Sequence, residues 1–190
     1  MARGYIEKML FADLSDRKSE VEDLDEKICE QFIGGYGIGA RIMYSRQKPG
    51  VDPLGPDNML GFVTSPLTGS MAVATSRFGV MAKSPLTGGW GDANSGGDFG
   101  PYLKFAGYDA VFFTGASAKP VYMVINEGKA ELKDAGHLWG KDTNDTEEAL
   151  KSEQGKDMRI ACIGPSGEAM SLIACIINNE GRAAGRVAGQ

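Results

Sequence analysis

The chain has 190 residues, of which 42% are hydrophobic and 27 are glycine, and its formal net charge is −5. That length supplies material for one good core, and an acidic balance with no basic run excludes the footprint of a nucleic-acid binder. No apolar run approaches a membrane span and the start MARGYIEKMLFADLS lacks the pattern of a secretory leader, so a cytoplasmic location with no membrane partner is the expectation.

Taken in chain order, residues 4–14 read as a strand with 19–24 returning beside it as a hairpin partner. Residues 25–32 have helical spacing, with Ile28 and Phe32 on one face and Gly34-Gly35 where a closing glycine belongs, and a second helix is expected over 38–47. Between them, Gly35-Tyr36-Gly37-Ile38-Gly39-Ala40 matches the letters of a dinucleotide fingerprint. An acidic amphipathic segment precedes it instead of a buried strand, so a tight helix–helix corner is the better reading.

The proline-rich turn VDPLGPDN leads into a short apolar strand at 59–64, and 77–83 is the next strand candidate. Ser65-Pro66-Leu67-Thr68-Gly69 ends the first of these and recurs as Ser84-Pro85-Leu86-Thr87-Gly88 after the second. Two readings stand: similar loops presented to one ligand with two similar halves, or two similar strand exits. Residues 88–97 hold five glycines with Asp92, Asn94 and Ser95, read as a loop that can bring backbone N–H groups to an anion. That loop feeds a short helix at 102–106, whose N-terminus favours phosphate, and Arg77 stands where a guanidinium can reach the same ligand.

Residues 110–113 read as a core strand and 121–126 with 130–133 as a hairpin. His137 beside Trp139 reads as a packing residue, and a helix is expected over 144–153. Apolar strands are expected at 159–164 and 172–177, separated by a tight turn at 165–168. The glycine- and arginine-rich segment 178–190 is the second place for ligand contacts, although a frayed basic tail has the same letters. Cys29, Cys162 and Cys175 are widely spaced and read as free thiols, and with His137 as the single histidine the chain offers no zinc or iron–sulfur ligand set of its own.

The motifs VDPLGPDN, SPLTG, KSPLTG, ANSGG, LKFAGYDA, KPVY, HLWGKDT, IGPSGE and GRAAGR, in that order, resemble the N-terminal domain of the tungsten-containing aldehyde:ferredoxin oxidoreductase family over residues 4–186. The resemblance implies an α+β fold, a duplicated two-β-sheet domain with short helices that forms the base under a bis-pterin tungsten cofactor, with molybdenum as the alternative metal. It implies oxidation of an aldehyde to a carboxylic acid, with electrons passed through a [4Fe–4S] cluster to ferredoxin. The cofactor contacts it implies are Arg77, Asn94, Gly96, Arg182 and Ala183, with main-chain oxygens of Asn94 and Ala183 on a Mg2+ ion between the pterin phosphates. No catalytic acid or base is implied, since the metal performs the chemistry.

The family continues past this arginine motif into a glycine-rich strand and domains that bear the cluster cysteines, whereas this sequence ends at Gln190. The expectation is therefore a single cofactor-binding domain over 1–190 that needs C-terminal domains or a partner subunit and does not turn over aldehyde alone. A second copy of the chain is a further candidate partner. The competing expectations are a stand-alone pterin-binding or carrier module, and a scaffold domain whose loops have no ligand.

Overall fold

A computed structural model describes residues 4–185 as an α+β fold. β1 (Lys8–Asp13) and β2 (Lys18–Asp23) form the expected hairpin, and α1 (Glu26–Phe32) and α2 (Tyr36–Arg46) follow. β3 (Leu60–Val63), β4 (Phe78–Lys83), β5 (Trp90–Ser95), α3 (Phe99–Phe105) and β6 (Ala110–Thr114) complete the first half. β7 (Val121–Asn126), β8 (Lys129–Asp134), α4 (Thr143–Gln154), β9 (Ala161–Cys162), α5 (Pro165–Glu168), β10 (Ile176–Asn178) and β11 (Arg182–Ala184) make up the second.

Six strands form the main sheet in the order β2-β1-β6-β3-β4-β5, in which only β1 and β6 run parallel. Both faces of its central strands are buried, and the strand period of two divides the apolar residues between them. Met9, Val63, Met81, Ala110 and Phe112 point to α1 and α2, where Cys29, Ile38, Ile42 and Met43 complete one core. Leu10, Phe62, Phe78, Val80, Ala93 and Val111 point the other way into a second core, against Leu103 of α3 and Ile176 and Ala184 of β10 and β11. The strands over that second face are split into the β7–β8 hairpin and the ladder β11-β10-β9.

The glycine motif before α2 has a packing explanation. A Cβ on Gly37 would strike the Phe32 carbonyl oxygen and one on Gly39 would strike the sulfur of Met81. Only glycine lets α2 turn so tightly after α1 and lie so close to β4. The corner reading of the dinucleotide-like letters holds for that reason.

Four expectations are corrected. The stretch 88–97 is mostly strand, because residues 90–95 pair with β4 from Lys83↔Trp90 to Phe78↔Ser95, and only 88–89 and 96–97 remain loop. The strand expected at 159–164 shrinks to β9 and that at 172–177 to β10, with Leu172 and Ile173 exposed. The turn at 165–168 is one turn of helix, α5, started by Pro165. Residues 182–184 are the edge strand β11, antiparallel to β10. The remainder of that segment, with Arg186, lies outside the described residues.

Candidate functional site: an arginine-lined cradle at one end of the sheet

The two Ser-Pro-Leu-Thr-Gly segments do not converge. β3 and β4 are antiparallel, so the first copy lies at the Val63/Gly79 end of the sheet and the second at the Lys83/Trp90 end, separated by roughly 20 Å of strand at ~3.3 Å per residue. Each is a closed local turn. Thr68 Oγ1 donates to the Arg77 carbonyl at 2.9 Å and accepts from Ser65 N at 3.0 Å, and Ser84 Oγ accepts from Thr87 N at 3.2 Å. The strand-exit reading of the repeat is the one the fold supports.

The first copy's end of the sheet is where the sequence-predicted ligands meet. Arg77 is the last residue before β4, and its Nη1 donates to Asn94 Oδ1 on the neighbouring strand β5. Asn94 Nδ2 in turn donates to the Tyr36 hydroxyl at 2.9 Å, at the start of α2. The phenol oxygen is thereby an acceptor, and its own proton stays available to a ligand. Pairing with β4 points Asn94 to the α1–α2 side, next to Tyr36, and Ser95 to the opposite side.

Ser95 connects β5 to the second arm of the cradle. Asn178 on β10 is fully buried and spends both amide hydrogens, one on Ser95 Oγ at 2.9 Å and one on the Arg182 carbonyl at 3.0 Å. Gly96 lies between the arms: a Cβ there would come 3.8 Å from Ser76 Oγ and 3.9 Å from Arg182 Nη1. Arg77, Asn94, Gly96 and Arg182 are thus gathered at one end of the main sheet. Ala183 follows on the exposed edge strand β11, opposite Ile177.

The electrostatics of the cradle are uncompensated. Among the described residues no carboxylate pairs with Arg77 or Arg182, whereas Asp98 is turned to Arg159 at 3.5 Å. Arg159 also stacks over the Tyr102 ring at 4.3 Å. Asn178 Oδ1 is buried with no hydrogen-bond partner. Two exposed guanidinium groups beside glycine backbone suit a doubly charged oxyanion such as a phosphate ester. The N-terminus of α3 does not contribute as expected, because Asp98 N already donates to Asn179 Oδ1 at 2.9 Å and Asp98 brings its own negative charge there.

Sequence reasoning missed Tyr36 and Asn178. Tyr36 sat inside the glycine motif that was read as a corner and nothing more, and Asn178 inside the segment named as a second ligand region without a residue-level role. No group of three or more His, Cys, Asp or Glu side chains among the described residues could hold a metal ion, and no described helix is long and apolar enough to cross a membrane. His137 makes a 2.7 Å contact with Glu153 on α4, away from the cradle. A separate apolar cavity of about 710 Å³ lies between the main sheet, β7 and α4, lined by Phe62, Phe113, Met123, Leu138 and Leu150.

The fold is an α+β domain whose main sheet gathers exposed arginines, glycine backbone and amide side chains at one end. The family model for the N-terminal domain of aldehyde ferredoxin oxidoreductase matches residues 9–189, and the chain belongs to that family. The tungsten-containing aldehyde ferredoxin oxidoreductase of Pyrococcus abyssi is 44% identical over 184 residues, which is 96% of this chain and 30% of the relative. The enzyme of that name from Thermococcus kodakarensis is 43% identical over 180 residues, again 30% of its length. The WOR-like subunit of an aliphatic sulfonate oxidoreductase from Pyrococcus furiosus is 32% identical over 160 residues, 82% of this chain and 25% of that one. Among solved structures, the active-site complex BamBC of benzoyl coenzyme A reductase superposes with a TM-score of 0.95 at 34% identity, covering 99% of this chain and 29% of that one. The chain therefore spans about three tenths of the length of the relatives it matches.

Proposed function

We propose that this chain is the cofactor-bearing base of an aldehyde:ferredoxin oxidoreductase, and that the cradle at Gly96 holds the phosphates of a tungsten bis-pterin. The observation that carries the reading is that Arg77, bonded to Asn94, and Arg182, beside Gly96, lie at the same end of the main sheet, and that among the described residues neither arginine pairs with a carboxylate. The residues fit such a group. Gly96 leaves backbone open to close approach, and both arginines can fork onto phosphate oxygens.

In this reading Arg77 and Arg182 bind and orient the phosphates. The main-chain oxygens of Asn94 and Ala183 would supply hard ligands to a Mg2+ ion that neutralises those phosphates. Tyr36 and Asn178 fix the two arms. The cofactor, when bound, supplies two-electron redox chemistry at its metal, with molybdenum as the alternative to tungsten. Residues beyond this chain, or a partner subunit, would provide the cluster ligands, the substrate pocket and the docking surface for ferredoxin, and the enzyme would work in the cytoplasm. The relatives' names include an aldehyde, an aliphatic sulfonate and a coenzyme A thioester enzyme on similar domains. Aldehyde is proposed as the substrate because relatives at 42–44% identity carry that name.

The test is metal and phosphorus analysis of the full-length native protein and its Arg77→Ala and Arg182→Ala variants. Co-purifying tungsten and phosphorus that fall in both variants is the expected result. Tungsten retained undiminished in both would sink the cradle assignment, and a native protein that binds free pterin without redox turnover would make the chain a carrier module.

A further inference from the structure

Arg182 is presented by an unusual piece of backbone. Asn179, Glu180 and Gly181 have φ of 45°, 57° and 113°, three consecutive residues in the left-handed region, two of which carry a Cβ. Glycine takes that region freely and asparagine tolerates it, but a glutamate there is strained unless its surroundings hold it. Three side chains hold it, from β10, from the turn itself and from α4. Asn178 bridges Ser95 and the Arg182 carbonyl, and Asn179 Oδ1 accepts from Asp98 N at 2.9 Å. The third contact is on the strained residue itself, where Glu180 N donates to Glu147 Oε2 at 3.0 Å.

Glu147 is otherwise unexplained. It sits on α4 with only 5% of its surface exposed, and its other oxygen, Oε1, takes the Lys151 ammonium at 2.7 Å. Lys151 also reaches Glu180 Oε1 at 3.6 Å. An i,i+4 pair on a helix has no need of burial, and a buried carboxylate is costly to keep. Here one oxygen is spent on the paired lysine and the other on the backbone amide of Glu180, the residue of the left-handed β10–β11 turn that is neither glycine nor asparagine.

From this geometry we infer that Glu147 is a positioning residue for Arg182: its carboxylate, held by Lys151, locks Glu180 in the left-handed turn and so keeps the Arg182 guanidinium beside Gly96. The functional consequence rests on the cradle being an anion site, but the positioning does not. Without the carboxylate, Glu180 relaxes to right-handed or extended backbone, and a peptide rotation two residues upstream swings the Arg182 guanidinium out of the cradle.

The experiment compares the wild-type chain with Glu147→Gln, which keeps an acceptor oxygen, Glu147→Ala, which does not, and Glu147→Ala combined with Glu180→Gly, which removes the left-handed strain. Two readouts are taken at a temperature where all are folded: amide exchange and 15N–1H shifts of residues 180–182, and affinity for magnesium pyrophosphate. Glu147→Ala is expected to speed exchange at Glu180 and weaken pyrophosphate binding, each by about tenfold for one lost hydrogen bond to a charged group, with Glu147→Gln within about threefold of wild type. The Glu180→Gly background should restore the Arg182 shift and most of the affinity, and it also serves if Glu147→Ala alone does not fold. A Glu147→Ala protein whose 180–182 shifts and exchange match wild type overturns the inference, as does a Glu180→Gly background in which the loss is just as large. Absence of pyrophosphate binding by wild type would instead count against the cradle as a phosphate site, with the exchange readout still deciding the role of Glu147.

Discussion

Asn178 on β10 and Ser95 at the end of β5 are 83 residues apart in sequence and joined by a buried 2.9 Å hydrogen bond. With the second amide hydrogen on the Arg182 carbonyl, this one side chain fastens the edge of the main sheet to the strand pair that carries the second arginine. Asn178→Ala should remove both bonds, leave Ser95 Oγ with only its 3.3 Å bond to the Gly96 carbonyl and open a hole. A loss of about 2–4 kcal/mol is expected, which for a domain of this size is a Tm lower by roughly 5–12 °C. Ser95→Ala should cost only about 1 kcal/mol. A calorimetric Tm for Asn178→Ala within 2 °C of wild type, by the same ~2–4 °C per kcal/mol scaling, would remove it from the framework of the cradle.

Gly97 and Gly88 make a controlled pair. Both are left-handed, at φ of 92° and 70°. A Cβ at Gly97 would come within 2.5 Å of Asn179 Oδ1 and 2.9 Å of Asn178 Oδ1, whereas one at Gly88 meets nothing within 4 Å. Gly88→Ala should cost only the backbone strain of about 1–2 kcal/mol. Gly97→Ala should cost that plus the displacement of two asparagines. Chemical denaturation that ranks the two variants equal would mean that the cradle can relax around the extra methyl group.

Lys104 and Asp109 form a buried ion pair at 3.4 Å that ties the N-terminal segment to the sheet. Lys104 Nζ donates to the carbonyls of Gly4 at 2.5 Å and Ser65 at 2.6 Å, and Asp109 Oδ2 accepts from Ile6 N and Glu7 N. Burial pushes the Lys104 ammonium down and the Asp109 carboxyl up, with each partner opposing the other's shift. Four donated bonds around the two groups favour the charged pair. Lys104→Met would strand the carboxylate and should cost about 3–5 kcal/mol, most of it recovered when Asp109→Asn is added. Urea unfolding of the single and double variants checks this, and a double variant no more stable than the single one would contradict it.

Cys162 offers a pH-dependent readout. Burial first, and the nearby Glu147 carboxylate second, push its thiol up to about 11. A folded pKa raised above the unfolded value of roughly 8.5 means that the neutral thiol contributes stability that is fully present below about pH 8.5 and is lost as pH climbs towards 11. The thiolate is the reactive form, so iodoacetamide should modify native Cys162 slowly at pH 8 and faster up to about pH 11, read by peptide mass spectrometry. Rapid modification at pH 8 in the folded chain would contradict the buried environment.

Much of the local structure was legible in the sequence because it is decided within a few residues. The β1–β2 and β7–β8 hairpins, the α1–α2 glycine corner and α4 follow from alternation and helical spacing, although α4 starts at Thr143 under a cap from Asp142 and not at Asn144. Family motifs singled out the cradle positions before any geometry was known. What the sequence could not determine is set by pairing between distant segments. Two identical pentapeptides were separated to opposite ends of the sheet because β3 and β4 run antiparallel. A stretch dense in glycine became strand because β4 offered it a hydrogen-bonding edge. Only the tertiary structure brought Arg182 to Gly96, seated Tyr36 against Asn94 and set Glu147 under a strained turn, since those contacts depend on burial and backbone direction summed over the whole fold and leave no mark on the residues near them in sequence.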